Sequence, residues 1–299
     1  MNVTEEMVQS MMRKKIKAAM GAKTCTQIAR MTKQPRGGYI NPMDMVCEDM
    51  ADDEYRAELV DNMDAENLAA NVVGVAVDYL LRYTYEAPSY KGDVIDMECL
   101  RVPRHGVRDG SELDLKRFRD VASRMSDGEL DDDTIDAMCM LTAWDTMYRS
   151  GMPVDPDTLH PNAITIKHIR MMVMKSREMM GKVPDAIGPT FEGGMPMKIH
   201  SADADYIRDE WLVDMKVSKK DVPDKIQTLQ LAMYFIMGKY VSCDDNSNPY
   251  RSAFENMQGV EILNPRCGVR WRYLMRNMSK ETITEIKEKV MGGFDPCYV

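Results

Sequence analysis

The sequence predicts an α/β fold: helix, three strands, helix, two strands, helix, with a helical insertion after the first helix. Three observations carry this. Trp211, Val213, Met215 and Val217 alternate with Leu212, Asp214, Lys216 and Ser218, and a period of two is a strand. Ile226, Leu229, Met233, Ile236, Met237 and Tyr240 then recur at helical spacing as one buried stripe. Val260–Leu263 and Val269–Leu274 read as two further strands around an Asn264-Pro265-Arg266-Cys267-Gly268 turn. With 299 residues, 44% of them hydrophobic, the chain can bury one large core, so residues 1–299 are expected to form a single domain.

Taken in order, the chain opens on a helical stripe of Met7, Met11, Met12, Ile16 and Met20, with Lys14, Lys15 and Lys17 on the outer side, read as a solvated face. Residues 54–83 read as a helix whose apolar surface comes from Leu68, Val72, Val73, Val75, Ala76, Tyr79 and Leu80. Asn71, Gly74, Asp78 and Arg82 line another face at steps of three and four. Residues 86–110 are a loop-rich basic stretch holding Arg101, Arg104, His105 and Arg108. Helical patterns follow over 112–148, with an acidic joint at Glu129–Asp133 that suits a helix start, and from Asn162 to Met180. Residues 100–185 are thus a mainly helical insertion between the Asp78 helix and the sheet.

Met195–His200 reads as the first core strand, its proline suiting a sheet edge. Asp203, Asp205 and Ile207 share one side of the next short segment. Arg208-Asp209-Glu210 breaks the two runs, without the Asn-Gly signal of a tight hairpin turn. Pairing of these strands would bring Asp205 close to Asp214. The helix after Val222-Pro223-Asp224 carries Gln230 and Tyr234 one turn apart, able to lean toward one place. Residues 279–291 form a closing helix ended by Gly292-Gly293.

The chemistry sits in the middle of this order. Two facing carboxylates repel, and a hard divalent cation such as Mg²⁺ or Mn²⁺ relieves that conflict through oxygen ligands. Lys216, on the same side as Asp214, can hold a water or a phosphate oxygen beside such an ion. The plainer reading of Asp214 and Lys216 is a surface ion pair on an exposed strand. Acid-x-Lys triplets also occur at Asp114-Leu115-Lys116 and Glu285-Ile286-Lys287. Only the Asp214 triplet lies on an alternating strand, follows a short segment with an acid, and precedes a helix with Gln-x-x-x-Tyr.

Asp205, Asp214-Met215-Lys216 and Gln230-Leu231-Ala232-Met233-Tyr234, in this order and spacing, resemble the PD-(D/E)xK nuclease superfamily. The Gln-x-x-x-Tyr element is similar to that of its RecB-like and lambda-exonuclease-like branch. Val73-Gly74-Val75-Ala76-Val77-Asp78 resembles the branch's first motif, with Asp78 where the family has a metal-binding histidine. The chain departs from the pattern in having Ser201-Ala202 where a glycine is usual, and Asp214 in place of a glutamate. The resemblance implies a restriction-endonuclease-like core, a small mixed sheet flanked by helices. It implies Mg²⁺ or Mn²⁺ and hydrolysis of DNA phosphodiester bonds, with exonuclease action favoured. Asp205 and Asp214, with Asp78, would hold metal; Lys216 would orient water; Gln230 and Tyr234 would position the site. Arg82 is either the partner of Asp78, one turn away, or a contact to substrate. Arg266 and Arg270, in the basic run that includes Arg272 and Arg276, are the expected contacts to the nucleic-acid backbone.

Composition narrows the rest. A net charge of −9 argues against a protein that coats DNA, and less against a nuclease with basic residues along one groove. Seven cysteines without a Cys-x-x-Cys pair point to a reduced, cytoplasmic protein and away from a structural zinc or iron–sulfur cluster. Thirty methionines read as adaptable core filler in place of leucine. No run is long enough to span a membrane, and no Walker-type loop occurs. The rival function is a nuclease-fold protein, of phage origin, that binds or inhibits a protein partner without turnover. RNA as substrate and assembly into a homo-oligomer both stay open.

Overall fold

The structure, a computed structural model, describes residues 21–108, 111–125, 128–243 and 248–294. The Met7–Met20 stripe, Gly110 and Cys297 lie outside the described residues. The strands are β1 (Lys23–Thr24), β2 (Val46–Asp49), β3 (Ala186–Ile187), β4 (Ile199–Ser201), β5 (Tyr206–Arg208), β6 (Trp211–Met215), β7 (Gly259–Asn264) and β8 (Val269–Leu274). The α-helices are α1 (Cys25–Met31), α2 (Asp53–Arg56), α3 (Ala70–Glu86), α4 (Arg101–His105), α5 (Glu112–Ala122), α6 (Asp132–Ser150), α7 (Ala163–Met180), α8 (Lys225–Cys243), α9 (Arg251–Glu255) and α10 (Lys280–Glu285).

Six strands form a mixed sheet in the order β2-β8-β7-β6-β5-β3. Only β6 and β7 run parallel, joined through α8, and the other neighbours are antiparallel. Helices cover both faces. Val213 and Met215 of β6, with Tyr206 and Leu263, pack into a core shared with α3, α6 and α7. Leu212, Ile207, Val260 and Ile262 point the other way, into a core with α1, α8 and α9. Because both faces of β6 are covered, the Asp214 side of this strand is interior, not a solvent edge. Fully buried Met138, Met172, Met233 and Met237 are among the residues that fill the two cores.

The helices begin and end where their side chains dictate. Asp224 caps α8 by accepting from the Ile226 and Gln227 backbone N–H groups, while Gln227 Oε1 accepts from Asp224 N, a reciprocal capping box. Asp131, in the acidic joint, caps α6, and Asn162 caps α7. Helices α4 to α7 follow α3 and precede β3 in the chain. The basic stretch after α3 is largely folded into short turns, where Arg104 pairs with Asp96 and Arg101 with Glu98.

Two expected elements differ. The helix read over 54–83 is broken: α2 runs on as a π-turn over Ala57–Asp61, a 3₁₀ turn follows, and α3 starts only at Ala70. The break holds Asn67, whose side chain is used on the loop before α7, bonding Asn162 N and the His160 carbonyl. The first strand of the main sheet after α3 is β3, not Met195–His200. Pro196 has no N–H, and the next two donors, Met197 and Lys198, go to the carbonyls of Gly293 and Met291. What remains, β4, pairs in parallel with β1 in a separate two-stranded sheet. Between α3 and α8 the main sheet takes three strands, β3, β5 and β6, and it gains a strand that was not expected, β2, which precedes α3 and pairs with β8. Among the described residues no helix is long and apolar enough to cross a membrane.

Candidate active site

The β5–β6 hairpin sets the site. Its two-residue turn, Asp209-Glu210, has both residues at positive φ, 48° and 68°. A two-residue hairpin turn of type I′ requires this, and here it is met without asparagine or glycine. The register pairs Arg208 with Trp211, Ile207 with Leu212 and Tyr206 with Val213. Continued one step, it sets Asp205 across from Asp214. Asp205 Oδ2 accepts from the Met215 backbone N–H at 2.7 Å, which ties the first acid to the strand of the second.

Lys216 leaves the end of β6 with its Nζ 2.5 Å from Asp214 Oδ2. That oxygen is otherwise buried without a hydrogen-bond partner among the described residues. Asp78 comes from α3 on the opposite side of Asp205. Its Oδ1 accepts from the Tyr206 hydroxyl at 2.7 Å and from Arg82 Nε at 3.1 Å, and its Oδ2 lies 2.7 Å from Arg82 Nη2. The same Arg82 Nη2 reaches Asp205 Oδ1 at 3.4 Å. Three acids, Asp78, Asp205 and Asp214, therefore share two cations, Arg82 and Lys216.

The electrostatics follow from that count. Burial, then the charges of Asp78 and Asp214, push the Asp205 carboxyl up to about 7, against the pull of Lys216 and Arg82. Burial also raises Asp214, while Lys216 lowers it. Lys216 moves the other way for an ammonium in a buried place: desolvation would strip its proton, but Asp214 and Asp205 outweigh it and hold its pKa above the ordinary lysine value. It is a firm donor and a poor base.

Gln230 and Tyr234 do meet, as their spacing implies. Gln230 Nε2 donates to the Tyr234 hydroxyl at 2.7 Å and to Thr26 Oγ1 of α1 at 3.0 Å. Tyr234 stacks on Phe191, ring centroids 5.2 Å apart, and lies close enough to feel the charges of Cys25, Asp214 and Asp205. Burial first, and those charges next, hold its phenol well above the ordinary range.

Other expected residues fall elsewhere. Arg266 is 1% exposed, with its fork on Glu66 and a further bond to the Leu59 carbonyl. Arg270 is also buried, donating to the Met179 carbonyl at 2.7 Å. The pair is interior structure, not a basic face for a nucleic-acid backbone, because each guanidinium found acceptors inside the fold. Asp78 is bonded by Arg82 and Tyr206. Among the described residues no group of three or more His, Cys, Asp and Glu side chains is arranged to hold a metal ion.

The residues not foreseen are Thr26 and Cys25 of α1 and Tyr206 of β5. The Thr24-x-x-Gln27 capping box marks the start of α1 in the sequence, but nothing local places that helix against α8. No protein-family model, curated protein or solved structure matches the chain.

Proposed function

We propose that the chain is a metal-dependent nuclease with a restriction-endonuclease-like core, hydrolysing DNA phosphodiester bonds. One observation carries this reading: Asp205 and Asp214 face each other with Lys216 against them, where burial and then the charges of Asp78 and Asp214 push the Asp205 carboxyl up to about 7. Such crowding suits a hard cation, because an ion between the carboxylates removes both repulsion and desolvation cost. Asp214 Oδ2, buried with Lys216 as its one charged neighbour in the site, and the all-oxygen donor set fit Mg²⁺ or Mn²⁺. Asp205 and Asp214 would hold the ion, with the Met215 carbonyl as a further ligand. Asp78 acts through Arg82, which it fixes beside Asp205.

A bound Mg²⁺ or Mn²⁺ supplies a more acidic water and charge to steady the phosphoryl oxygens. The chain's own residues do the remainder. Lys216, kept protonated by its acids, orients the attacking water and pairs with a phosphate oxygen rather than accepting a proton. Gln230 and Tyr234 brace α8 against α1 and form a fixed wall of the site. Arg82, itself buried, orients Asp205. Resemblance to the RecB-like branch favours action from a DNA end in the cytoplasm, with RNA a further substrate class.

The test is digestion of linear and closed circular DNA with Mg²⁺ or with EDTA. Loss of linear DNA only, only with the ion, and not by Lys216→Ala supports the reading. A second reading is favoured by Arg82, whose guanidinium already bridges Asp78 and Asp205. On it, the cluster is neutralised internally and the protein binds or inhibits a partner protein. No digestion of DNA or RNA with any divalent ion, with an intact fold, selects this second reading.

A further inference from the structure

Arg82 and Arg101 come from different parts of the chain, α3 and the start of the insertion. Each has one edge of its guanidinium taken by a carboxylate. Arg82 uses Nε and Nη2 on Asp78 and Asp205, and Arg101 gives Nε to Glu98 Oε1 at 2.5 Å. Arg82 Nη1 and both terminal nitrogens of Arg101 have no hydrogen-bond partner among the described residues.

These unused edges converge over Gly188. A Cβ at that position would lie 2.9 Å from Arg82 Nη1, 3.8 Å from Arg101 Nη2 and 3.9 Å from Glu98 Oε1. Gly188 has φ +60°, and its N–H is taken by the Asp205 carbonyl at 2.8 Å. The missing side chain lets the Arg82 guanidinium lie against the main chain at Gly188, across from Asp205, with Arg101 beside it. Arg82 is also held in place by rings, its guanidinium carbon 5.4 Å from the centre of Tyr206 and 5.8 Å from that of Tyr79. A guanidinium pinned along one edge loses little freedom when the other edge takes a ligand.

The donors choose the ligand. Paired N–H groups of arginine match the oxygens of phosphate, and a tetrahedral oxyanion can accept from two guanidiniums at once. We propose that Arg82, Arg101 and Gly188 form an anion subsite that holds a phosphate oxygen of a nucleic-acid strand beside the Asp205–Asp214 pair. The occupant rests on the nuclease reading; the geometry of the donors does not. Glu98 and Asp203 stand close to Arg101 and offset its charge, so binding depends on directed hydrogen bonds more than on net attraction.

The test is fluorescence anisotropy of a labelled single-stranded DNA oligonucleotide, and its RNA counterpart, in EDTA so that no turnover occurs. Wild type is compared with Arg101→Gln and Arg101→Lys. The Arg101 side chain is 36% exposed, so both variants should fold, and matching thermal melts check this. Arg101→Gln should weaken binding roughly tenfold for every oligonucleotide sequence and lower the slope of log affinity against log salt by about one. Arg101→Lys should recover part of the loss, and inorganic phosphate should compete with the oligonucleotide on wild type at lower concentration than on Arg101→Gln. Gly188→Ala should weaken binding as Arg101→Gln does. Equal affinity and equal salt slope for wild type and Arg101→Gln overturn the subsite, as does a wild type that binds neither oligonucleotide. Binding that depends on Arg101 without Mg²⁺-dependent digestion leaves the subsite standing and removes the nuclease reading. Digestion with binding indifferent to Arg101 does the reverse.

Discussion

Two buried clusters of charge in this molecule are built from the same kinds of residue and end in opposite states. In the first, Glu66 accepts the fork of Arg266 at 2.7 and 3.0 Å and His168 Nδ1 at 2.8 Å. Glu58 stands at the other ring nitrogen of His168, at 3.1 Å, and takes Lys167 as well. The cluster ties the π-turn after α2 to α7 and to the β7–β8 turn, and acids and donors match. In the second, Asp78, Asp205 and Asp214 share Arg82 and Lys216, acids outnumber cations, and Asp205 is pushed up to about 7. Burial of charge alone therefore does not mark a site. A surplus of one sign at a place that a ligand could balance is the more informative feature.

The comparison can be broken at either end. The largest expected effect is on turnover: Lys216→Ala should lower Mg²⁺-dependent cleavage by about 10² to 10⁴. Mn²⁺ binding, measured by electron paramagnetic resonance, should persist in that variant, since the carboxylates remain. Next comes stability. Glu66→Ala leaves Arg266 buried without its acid and should cost about 3–5 kcal/mol in urea unfolding. Asp205→Asn removes a crowded charge and should leave stability unchanged or raised at pH 7.5. A large loss from the second substitution and none from the first would reverse the contrast.

The pH dependence sharpens it. Asp205 has a folded pKa of about 7, above its ordinary 3.8. The folded state therefore holds the proton more tightly than the unfolded state, and stability is lost as pH rises between about 4 and 7. Asp205→Asn should remove this slope, so its advantage over wild type appears across that window and is absent at pH 3.5. Added Mn²⁺ should stabilise wild type more at pH 7.5 than at pH 5, in a thermal shift experiment, and EDTA should cancel the gain. The smallest effect concerns the turn that aligns the acids. Glu210 sits at φ 68°, so Glu210→Gly should raise stability by about 1 kcal/mol and leave the register intact.

What could be read from the sequence was whatever is fixed by near neighbours. The alternation around Asp214, the start of α8 after Val222-Pro223-Asp224 and its apolar stripe are local, and the structure has them where they were expected. The nearness of Asp205 and Asp214 was legible because a hairpin register follows from a short break. Long-range choices were not. Arg266 looks like part of a basic surface run until Glu66, 200 residues earlier, is seen to hold it. Gln230 finds its partner Thr26 at a separation of 204 residues. The first core strand was misplaced because both Ala186–Ile187 and Met195–His200 are short, and only the competition for backbone donors at Met197 and Lys198 decides between them.

The most direct test of the central claim is a crystal structure grown with Mn²⁺ and read by anomalous scattering. The account predicts a peak within coordination distance of both Asp205 and Asp214, and none in the Asp205→Asn variant. A peak elsewhere only, or no peak while Arg82 still bridges Asp78 and Asp205, would contradict it.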